Sequence, residues 1–190
     1  RVNIGNLISS AKISSTLKGS QLQIIQGDAG SESVIPVFSL ADSISFSVIG
    51  STVSPRITNG KTSQVLPRSR VFTVRWSGTR YLEGPETIIA VNHSGVSQRL
   101  RYGQIQVKAV KIPTGYRIAM TNSVRLADEY LWGISEMPSF WPIAALEAQA
   151  IASRTYALSK AGVYKSACDC DLYGSISDQT FLGYAKEIEK

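Results

Sequence analysis

The chain has 190 residues, of which 43% are hydrophobic and 18% charged, and its mean hydropathy is +0.00. These values are typical of a globular protein large enough to bury a core, and they exclude collagen-like, coiled-coil and disordered chains. No apolar run approaches the roughly 18 residues that a membrane-spanning helix needs, so the sequence predicts no membrane span.

Charge is unevenly distributed along the chain. Residues 1–121 hold 14 basic and 5 acidic side chains, whereas residues 122–190 hold 6 and 9. A basic segment attracts polyanions such as nucleic acid, acidic lipid or an anionic cell-wall polymer, although the same charge can serve only to solubilise a β surface. Neither an RNA-binding aromatic signature nor a zinc-finger spacing accompanies the charge, so nucleic acid is not predicted as a partner.

The first part of the chain, residues 1–121, has the pattern of a β-rich region. Short stretches of alternating apolar and polar residues are separated by Gly, Pro and Ser clusters, which is typical of half-buried antiparallel strands. The pattern leaves open whether this region forms one sheet module or two, and residues 31–98 are a candidate for a small inserted β module. The predicted strands lie at residues 21–25, 43–49, 71–76, 87–91, 103–110 and 116–121.

The period of the apolar residues changes after the last predicted strand. Asn122 and Ser123 are suitable helix caps, and apolar residues three to four apart follow at 124–132. We therefore predict a first helix over this stretch, ending near Gly133.

A second helix is predicted over residues 143–160. Pro142 suits a helix start, the stretch is rich in Ala, Leu, Gln and Glu, and Gly162 is a suitable terminator. The many alanines predict a central helix that is largely covered by its neighbours. The predicted fold class is α+β, with a β-rich antiparallel N-terminal region and two packed helices around residues 123–161.

The two cysteines, Cys168 and Cys170, are one residue apart. We interpret this separation as too short for an unstrained mutual disulfide, so each thiol is expected to be free, metal-bound or paired elsewhere. The single histidine, His93, is far away in sequence, and no four-ligand zinc set is evident. A structural thiol pair is the favoured interpretation.

A carboxyl group lies between the predicted helices, on a turn pinned by prolines. Glu136 is followed by Met137, Phe140 and Trp141. Apolar surroundings disfavour the charged form of a carboxyl, which would let Glu136 stay protonated nearer neutral pH and act as a general acid. The alternative is that a glutamate ahead of a helix only complements the positive helix end.

The residues around Glu136 resemble the signature of the stage II sporulation protein D family, which also includes the LytB-type amidase enhancers. The stretches YLWGISEMP at 130–138, WP at 141–142 and ALEAQAIASRTYA at 145–157 carry this resemblance, which is nearly continuous over 126–158. Similarity continues downstream over 171–183. Weaker similarity lies upstream, at 1–5 and 102–107.

This resemblance implies a lytic transglycosylase that cleaves peptidoglycan glycan strands, with Glu136 as the single catalytic acid/base and no cofactor. Because the sugar's own hydroxyl closes an anhydro ring and no water attacks, a second carboxylate is not required. The family also implies a preference for strands stripped of stem peptides and an extracytoplasmic location, in the cell wall or the forespore–mother cell intermembrane space. The alternative is a non-catalytic wall-binding enhancer of a partner amidase or autolysin.

Five further residues are candidates for substrate binding. Gln149 and Arg154 are polar residues of a helix that we expect to be buried, so they either shape the Glu136 site or satisfy buried backbone groups. Trp141 and Tyr156 are candidates for stacking on sugar rings, with a plain core role as the alternative. Gln179 belongs to the downstream stretch that resembles the family.

The chain departs from the family pattern in two respects. Tyr173 and Asp178 occupy the positions of the cysteines in zinc-containing family members, and Cys168 and Cys170 are out of register with them, so no metal is predicted. The resemblance also implies that the family domain continues past Lys190. Residues 122–190 are accordingly predicted to be the N-terminal part of the catalytic core, truncated at its C-terminus.

Overall fold

The structure, a computed structural model, describes residues 1–17, 19–27, 33–34 and 42–187. Thirteen strands and three helices lie in this part of the chain. The strands are β1 (Val2–Ile8), β2 (Ser10–Ser15), β3 (Leu22–Gln26), β4 (Ser33–Val34), β5 (Ser43–Ile49), β6 (Thr52–Asn59), β7 (Thr62–Val65), β8 (Val71–Trp76), β9 (Ile89–His93), β10 (Val96–Leu100), β11 (Gln104–Ile112), β12 (Gly115–Ser123) and β13 (Leu172–Tyr173). The helices are α1 (Glu129–Gly133), α2 (Ile143–Lys160) and α3 (Tyr184–Glu187).

The strands form two sheets that share one hydrophobic core. The seven-stranded sheet has the order β13-β1-β12-β11-β8-β3-β4, and the six-stranded sheet has the order β10-β9-β2-β5-β6-β7. Phe46 on β5 and Phe72 on β8 bring the sheets into contact, with 6.5 Å between their ring centroids. Alternate residues such as Ile13 and Ile105 point into the same core, which explains the period-2 pattern of the sequence.

The predicted β-rich region is confirmed. Strands β5 and β8 begin and end at the predicted residues, and the other four predicted strands are displaced by at most two residues at either end. All pairings between strands are antiparallel except that of β13 with β1. The described strands within the candidate module 31–98 are divided between the two sheets, while its residues 31–32 and 35–41 lie outside the described residues. The domain boundaries stay a prediction.

The start of the first helix was predicted wrongly. Asn122 and Ser123 are not caps, because they extend β12 and pair with Ile105 and Gln104 of β11. The α1 helix begins only at Glu129, whose amide donates a 2.7 Å hydrogen bond to the side chain of Asp128. Pairing with a neighbouring strand therefore overrides the local capping preference of the Asn-Ser pair.

The second helix has the predicted bounds but not the predicted burial. It spans Ile143–Lys160, and Gly162 follows with a φ of +80°, the left-handed conformation that favours glycine. Only Ser153 and Ala157 are buried, whereas Ile143 is 71% exposed. The prediction of a covered helix is wrong, since the helix contacts the rest of the described chain along a narrow line of small residues. None of the described helices is long and apolar enough to cross a membrane.

Candidate active site

Glu136 lies on the turn after α1, and a short antiparallel contact with residues 180–182 holds this turn. Ser135 donates its amide hydrogen to the carbonyl oxygen of Thr180 at 2.9 Å, and Ile134 pairs with Phe181 in an isolated bridge. The amide of Thr180 in turn donates a hydrogen bond to Glu136 Oε1. One carboxylate oxygen is thus fixed by a backbone group, while Oε2 has no hydrogen-bond partner among the described residues.

A buried aromatic pair supports residues 180–182 from behind. The rings of Tyr130 and Phe181 are stacked, with 5.8 Å between centroids and 6° between planes. The Tyr130 hydroxyl donates a 2.6 Å hydrogen bond to Gln179 Oε1, and both side chains are buried. Gly133 allows this packing, because a Cβ there would lie within 3.0 Å of three atoms of the Phe181 ring. The turn that carries Glu136 therefore rests on a packed layer.

A small cavity of about 180 Å³ opens beside Glu136. Met137 and Gln149 line it, and the Gln149 amide donates a 2.9 Å hydrogen bond to Ser153 Oγ. The remaining lining side chains are mostly apolar and come from the first helix, the following turn and the second helix: Leu131, Trp132, Ile134, Leu146 and Ala150. This arrangement places a carboxylate and a carboxamide at the mouth of one apolar recess.

The predicted apolar enclosure of Glu136 is only partly present. Met137 lines the same cavity, but Phe140 is 83% exposed and neither it nor Trp141 contributes to the lining. Glu136 itself is exposed. The expectation that apolar neighbours surround the carboxyl is therefore wrong for the described residues, because the turn directs Phe140 and Trp141 towards solvent.

The buried Tyr130 hydroxyl is close enough to Glu136 and Asp178 for their charges to act on it. Burial raises the pKa of this hydroxyl well above the ordinary value, and the negative charges of Glu136 and Asp178 raise it further. The hydroxyl therefore stays protonated throughout the neutral range and remains a hydrogen-bond donor to Gln179.

Asp178 organises a second group of polar side chains next to this layer. Tyr156 donates a 2.7 Å hydrogen bond to its Oδ1, while Lys165 Nζ at 3.1 Å and the Tyr173 amide at 2.8 Å donate to Oδ2. Burial alone would raise the pKa of Asp178, but these three donors and the charge of Lys165 outweigh it, and the pKa is lowered. The group ties α2 to the chain around β13.

The disulfide prediction is wrong. Cys168 and Cys170 form a mutual disulfide, with their Cα atoms 5.2 Å apart, which lies within the ordinary range for such bonds. The intervening Asp169 has a φ of +55°, and this turn of the backbone brings the two side chains together. Spacing along the chain was a poor guide, since a single left-handed residue shortens the distance that the bond must span.

Asp169 is almost completely buried between the two cysteines and is well paired. Lys108 Nζ and the Tyr164 hydroxyl donate to its Oδ1 at 2.8 and 2.7 Å, and the Gln106 amide donates to Oδ2. These contacts fix the disulfide loop on β11. The strand β13, which follows the loop, is thereby held at the edge of the seven-stranded sheet beside β1.

The predicted substrate-binding residues do not all lie together. Gln149 shares the cavity with Glu136, and Gln179 supports it from behind through Tyr130. Tyr156 is half-buried in the Asp178 group, and Trp141 is exposed near the start of α2. Arg154 is exposed and has no partner among the described residues, so the expectation that it lies on a buried helix surface is wrong.

Tyr130, Asp178 and Lys165 were not predicted from the sequence to belong to this site. Tyr130 stands inside the stretch that resembles the family, but nothing in its spacing marks it as a support for Glu136. Asp178 was identified only as a departure from a cysteine, and Lys165 was not identified from the sequence. The described residues contain no cluster of three or more His, Cys, Asp or Glu side chains arranged around a common point.

The fold is α+β, and the candidate site is an exposed carboxylate on a supported turn, beside an apolar recess that also contains the Gln149 carboxamide. Residues 115–190 match the family model SpoIID, described as stage II sporulation protein. The matched part begins with β12 and contains the three described helices, Glu136 and the residues that hold it, so the resemblance predicted from the sequence is confirmed over this part of the chain. The match supports a function related to sporulation and the cell wall. No curated protein and no solved structure matches the chain.

Proposed function

We propose that the protein is a lytic transglycosylase that cleaves peptidoglycan glycan strands, with Glu136 as its acid/base. The observation that carries this proposal is the asymmetric environment of the Glu136 carboxyl. The Thr180 amide fixes Oε1, whereas Oε2 is left without a partner among the described residues and is available for proton exchange.

The chemistry requires one group that first gives and then takes a proton. The protonated carboxyl of Glu136 donates its proton to the glycosidic oxygen, and the bond between that oxygen and the anomeric carbon breaks. The carboxylate then accepts the proton of the C6 hydroxyl of the same sugar, whose oxygen bonds to the anomeric carbon. The products are a free hydroxyl end and a 1,6-anhydro end, the carboxyl is regenerated, and no water is consumed.

The surroundings of Glu136 suit a sugar of this kind. Gln149, at the same recess, has amide groups that can hydrogen-bond to hydroxyl or acetamido groups, and the apolar lining suits the face of a sugar ring. Trp141, exposed at the start of α2, is available for stacking outside the recess. We place the protein outside the cytoplasm, in the cell wall or the intermembrane space of a sporulating cell, where glycan strands stripped of stem peptides would be its substrate.

The test is an incubation of the purified protein with glycan strands that carry or lack stem peptides, followed by mass spectrometry of the new ends. The native protein is expected to release 1,6-anhydromuramic ends, and Glu136→Gln is expected to release none. Glu147→Gln is the matched control, because Glu147 is an exposed carboxylate of α2 that does not line the recess. Reducing ends in place of anhydro ends, or equal cleavage by Glu136→Gln, would contradict the mechanism.

An enhancer of a partner amidase is the second candidate function, and the exposed apolar residues beside the site favour it. Phe140 and Ile143 protrude next to the Glu136 turn, and Ile151 lies two turns further along α2. Apolar side chains that are exposed together are typical of protein contacts. On this hypothesis Glu136→Gln would leave amidase stimulation intact, whereas Phe140→Ser with Ile143→Ser would abolish it.

A further inference from the structure

A groove of about 860 Å³ crosses the outward face of the six-stranded sheet, away from Glu136. Strands β2, β5, β6 and β9 form its floor. Their inward residues, such as Ile13 and Phe46, belong to the core, so the alternate residues face the groove. The groove thus belongs to the basic N-terminal part of the chain, which lies mostly outside the SpoIID match.

The strand register sets two cations in one row across this floor. Lys12 on β2 lies between Asn92 on β9 and Ser45 on β5, and Ser45 in turn lies opposite Arg56 on β6. Lys12 and Arg56 are therefore two strand spacings apart, roughly 10 Å. Arg68, from the segment after β7, lines the same groove.

The part of the chain that the structure describes does not neutralise these three cations. No Asp or Glu lines the groove, and Lys12, Arg56 and Arg68 make no ion pair or hydrogen bond with the described residues. Three exposed like charges around one concavity raise the local positive potential, which attracts and concentrates anions.

The rest of the lining combines polar and apolar side chains and contains no exposed Phe, Tyr or Trp ring. Ser and Asn supply half of these residues, and Ile49, Val65 and Val96 are exposed apolar residues among them. Ser45, Ser47 and Asn92 present hydroxyl and carboxamide groups, whereas Phe46 is 1% exposed and the half-buried His93 ring is held by a 2.8 Å hydrogen bond to the Ile4 carbonyl oxygen. Proteins that bind single-stranded nucleic acid without base pairing usually stack bases on exposed aromatic rings. Hydroxyl-lined cationic surfaces suit phosphate groups joined by hydroxylated units instead.

We propose that this groove binds a phosphodiester polymer with a polyol or sugar backbone, the chemistry of an anionic cell-wall polymer. Lys12, Arg56 and Arg68 pair with successive phosphates, and the serine hydroxyls and Asn92 hydrogen-bond to the hydroxylated units between them. The binding is independent of catalysis at Glu136, so this proposal and the proposed function can fail separately.

The test measures the affinity of the full chain for purified poly(glycerol phosphate) by biolayer interferometry at 50 and 200 mM salt. The triple variant Lys12→Gln, Arg56→Gln, Arg68→Gln is expected to bind at least about tenfold more weakly, with a salt slope reduced by about 2 to 3. The control triple variant carries three glutamines in place of exposed cations outside the groove and so has the same net charge: Lys61→Gln, Arg70→Gln, Lys111→Gln.

The control triple variant is expected to change the affinity by less than about threefold, and Glu136→Gln by nothing measurable. Equal weakening by the two triple variants would overturn the proposal, since binding would then follow net charge alone. A single-stranded DNA with the same number of phosphates is the competing ligand. If it binds as tightly as poly(glycerol phosphate), and if the Lys12→Gln, Arg56→Gln, Arg68→Gln variant weakens its binding equally, the assignment to a polyol or sugar backbone is overturned. Loss of folding is monitored by the thermal unfolding of each variant.

Discussion

The packing behind Glu136 makes a substitution at Gly133 a sensitive test of the site. Gly133 ends α1 and does not have a positive φ, so alanine there has no backbone penalty and would by itself stabilise the helix by about 0.5–1 kcal/mol. The new methyl group, however, would meet the ring of Phe181, which is 3% exposed and stacked on Tyr130. Overpacking of this kind costs about 1–3 kcal/mol.

Because the methyl group would approach three atoms of a buried ring, we place the steric cost in the upper part of this range, about 2–3 kcal/mol. We therefore expect Gly133→Ala to lower the free energy of unfolding by about 1–2.5 kcal/mol after the helix gain is subtracted. Equilibrium unfolding in urea, followed by tryptophan fluorescence, measures this directly. A chain of this size should also lose roughly 2–4 °C in Tm for each kcal/mol. If the proposed function is right, the same variant also loses transglycosylase activity, because the displaced ring shifts the Thr180 amide that fixes Glu136.

A second substitution separates the steric effect from other causes. Phe181→Leu shortens the side chain that the new methyl group meets. The double variant should therefore lose about 1 kcal/mol less unfolding free energy than the two single variants lose in total. Additive effects would indicate that the two residues do not touch. A Gly133→Ala protein as stable as the native one would refute the packing of residues 133–136 on residues 180–182.

Two further predictions concern the polar groups that hold the C-terminal part of the chain. Asp178→Asn should lower the free energy of unfolding by about 1–3 kcal/mol at pH 7, because Lys165 loses its anionic partner. Since the pKa of Asp178 is lowered in the folded protein, its stabilising effect is complete above the unfolded pKa near 4 and is lost as the pH falls through the folded pKa. Urea titrations should therefore show the stabilities of the native and variant proteins converging below about pH 4. A constant difference down to pH 2 would contradict the assignment. Reduction of the disulfide should cost about 1–2 kcal/mol, since the bond closes a loop of only three residues. Unfolding of the native protein with and without dithiothreitol measures this loss of stability. The Cys168→Ala, Cys170→Ala double variant is the control and should not respond to the reductant. Equal stability of the native protein in both conditions would show that the disulfide does not stabilise the fold.

Features that depend on neighbouring residues in the chain were predictable from the sequence. The bounds of α2 follow from Pro142 and Gly162, which set the start and end of a helix by their own backbone preferences. Strand β5 follows from the alternation of apolar residues, because its even-numbered residues face the shared core. Strand β8 follows from its apolar and β-branched residues, because five of its six residues are buried. The catalytic role of Glu136 was predicted from the residues around it, which resemble a family signature, and from the proline-pinned turn on which it lies. Both are local features of the sequence.

Features that depend on distant residues were not predictable in this way. Asn122 and Ser123 have the capping preferences of a helix start, yet pairing with β11 makes them the end of a strand. The alanines of α2 are compatible with a buried helix, but burial depends on what packs against it, and only the line through Ser153 and Ala157 is buried. The disulfide was missed because the conformation of Asp169 decides the distance between its neighbours.

The difference between local and distant features also explains why Glu136 could be predicted from the sequence, whereas the residues that hold its carboxyl group could not. A carboxylate can be recognised from its residue type and its turn, but the hydrogen bond that fixes Glu136 comes from Thr180, 44 residues along the chain. Thr180 is placed by Phe181, which packs on Tyr130 and accepts a 2.8 Å hydrogen bond from Gln98 at its carbonyl oxygen. Gln98 belongs to β10, in the sheet that carries the cationic groove. The position of the Glu136 carboxyl therefore depends on both parts of the chain, and a substitution in β10 that removes this hydrogen bond, such as Gln98→Leu, should affect the site without touching it.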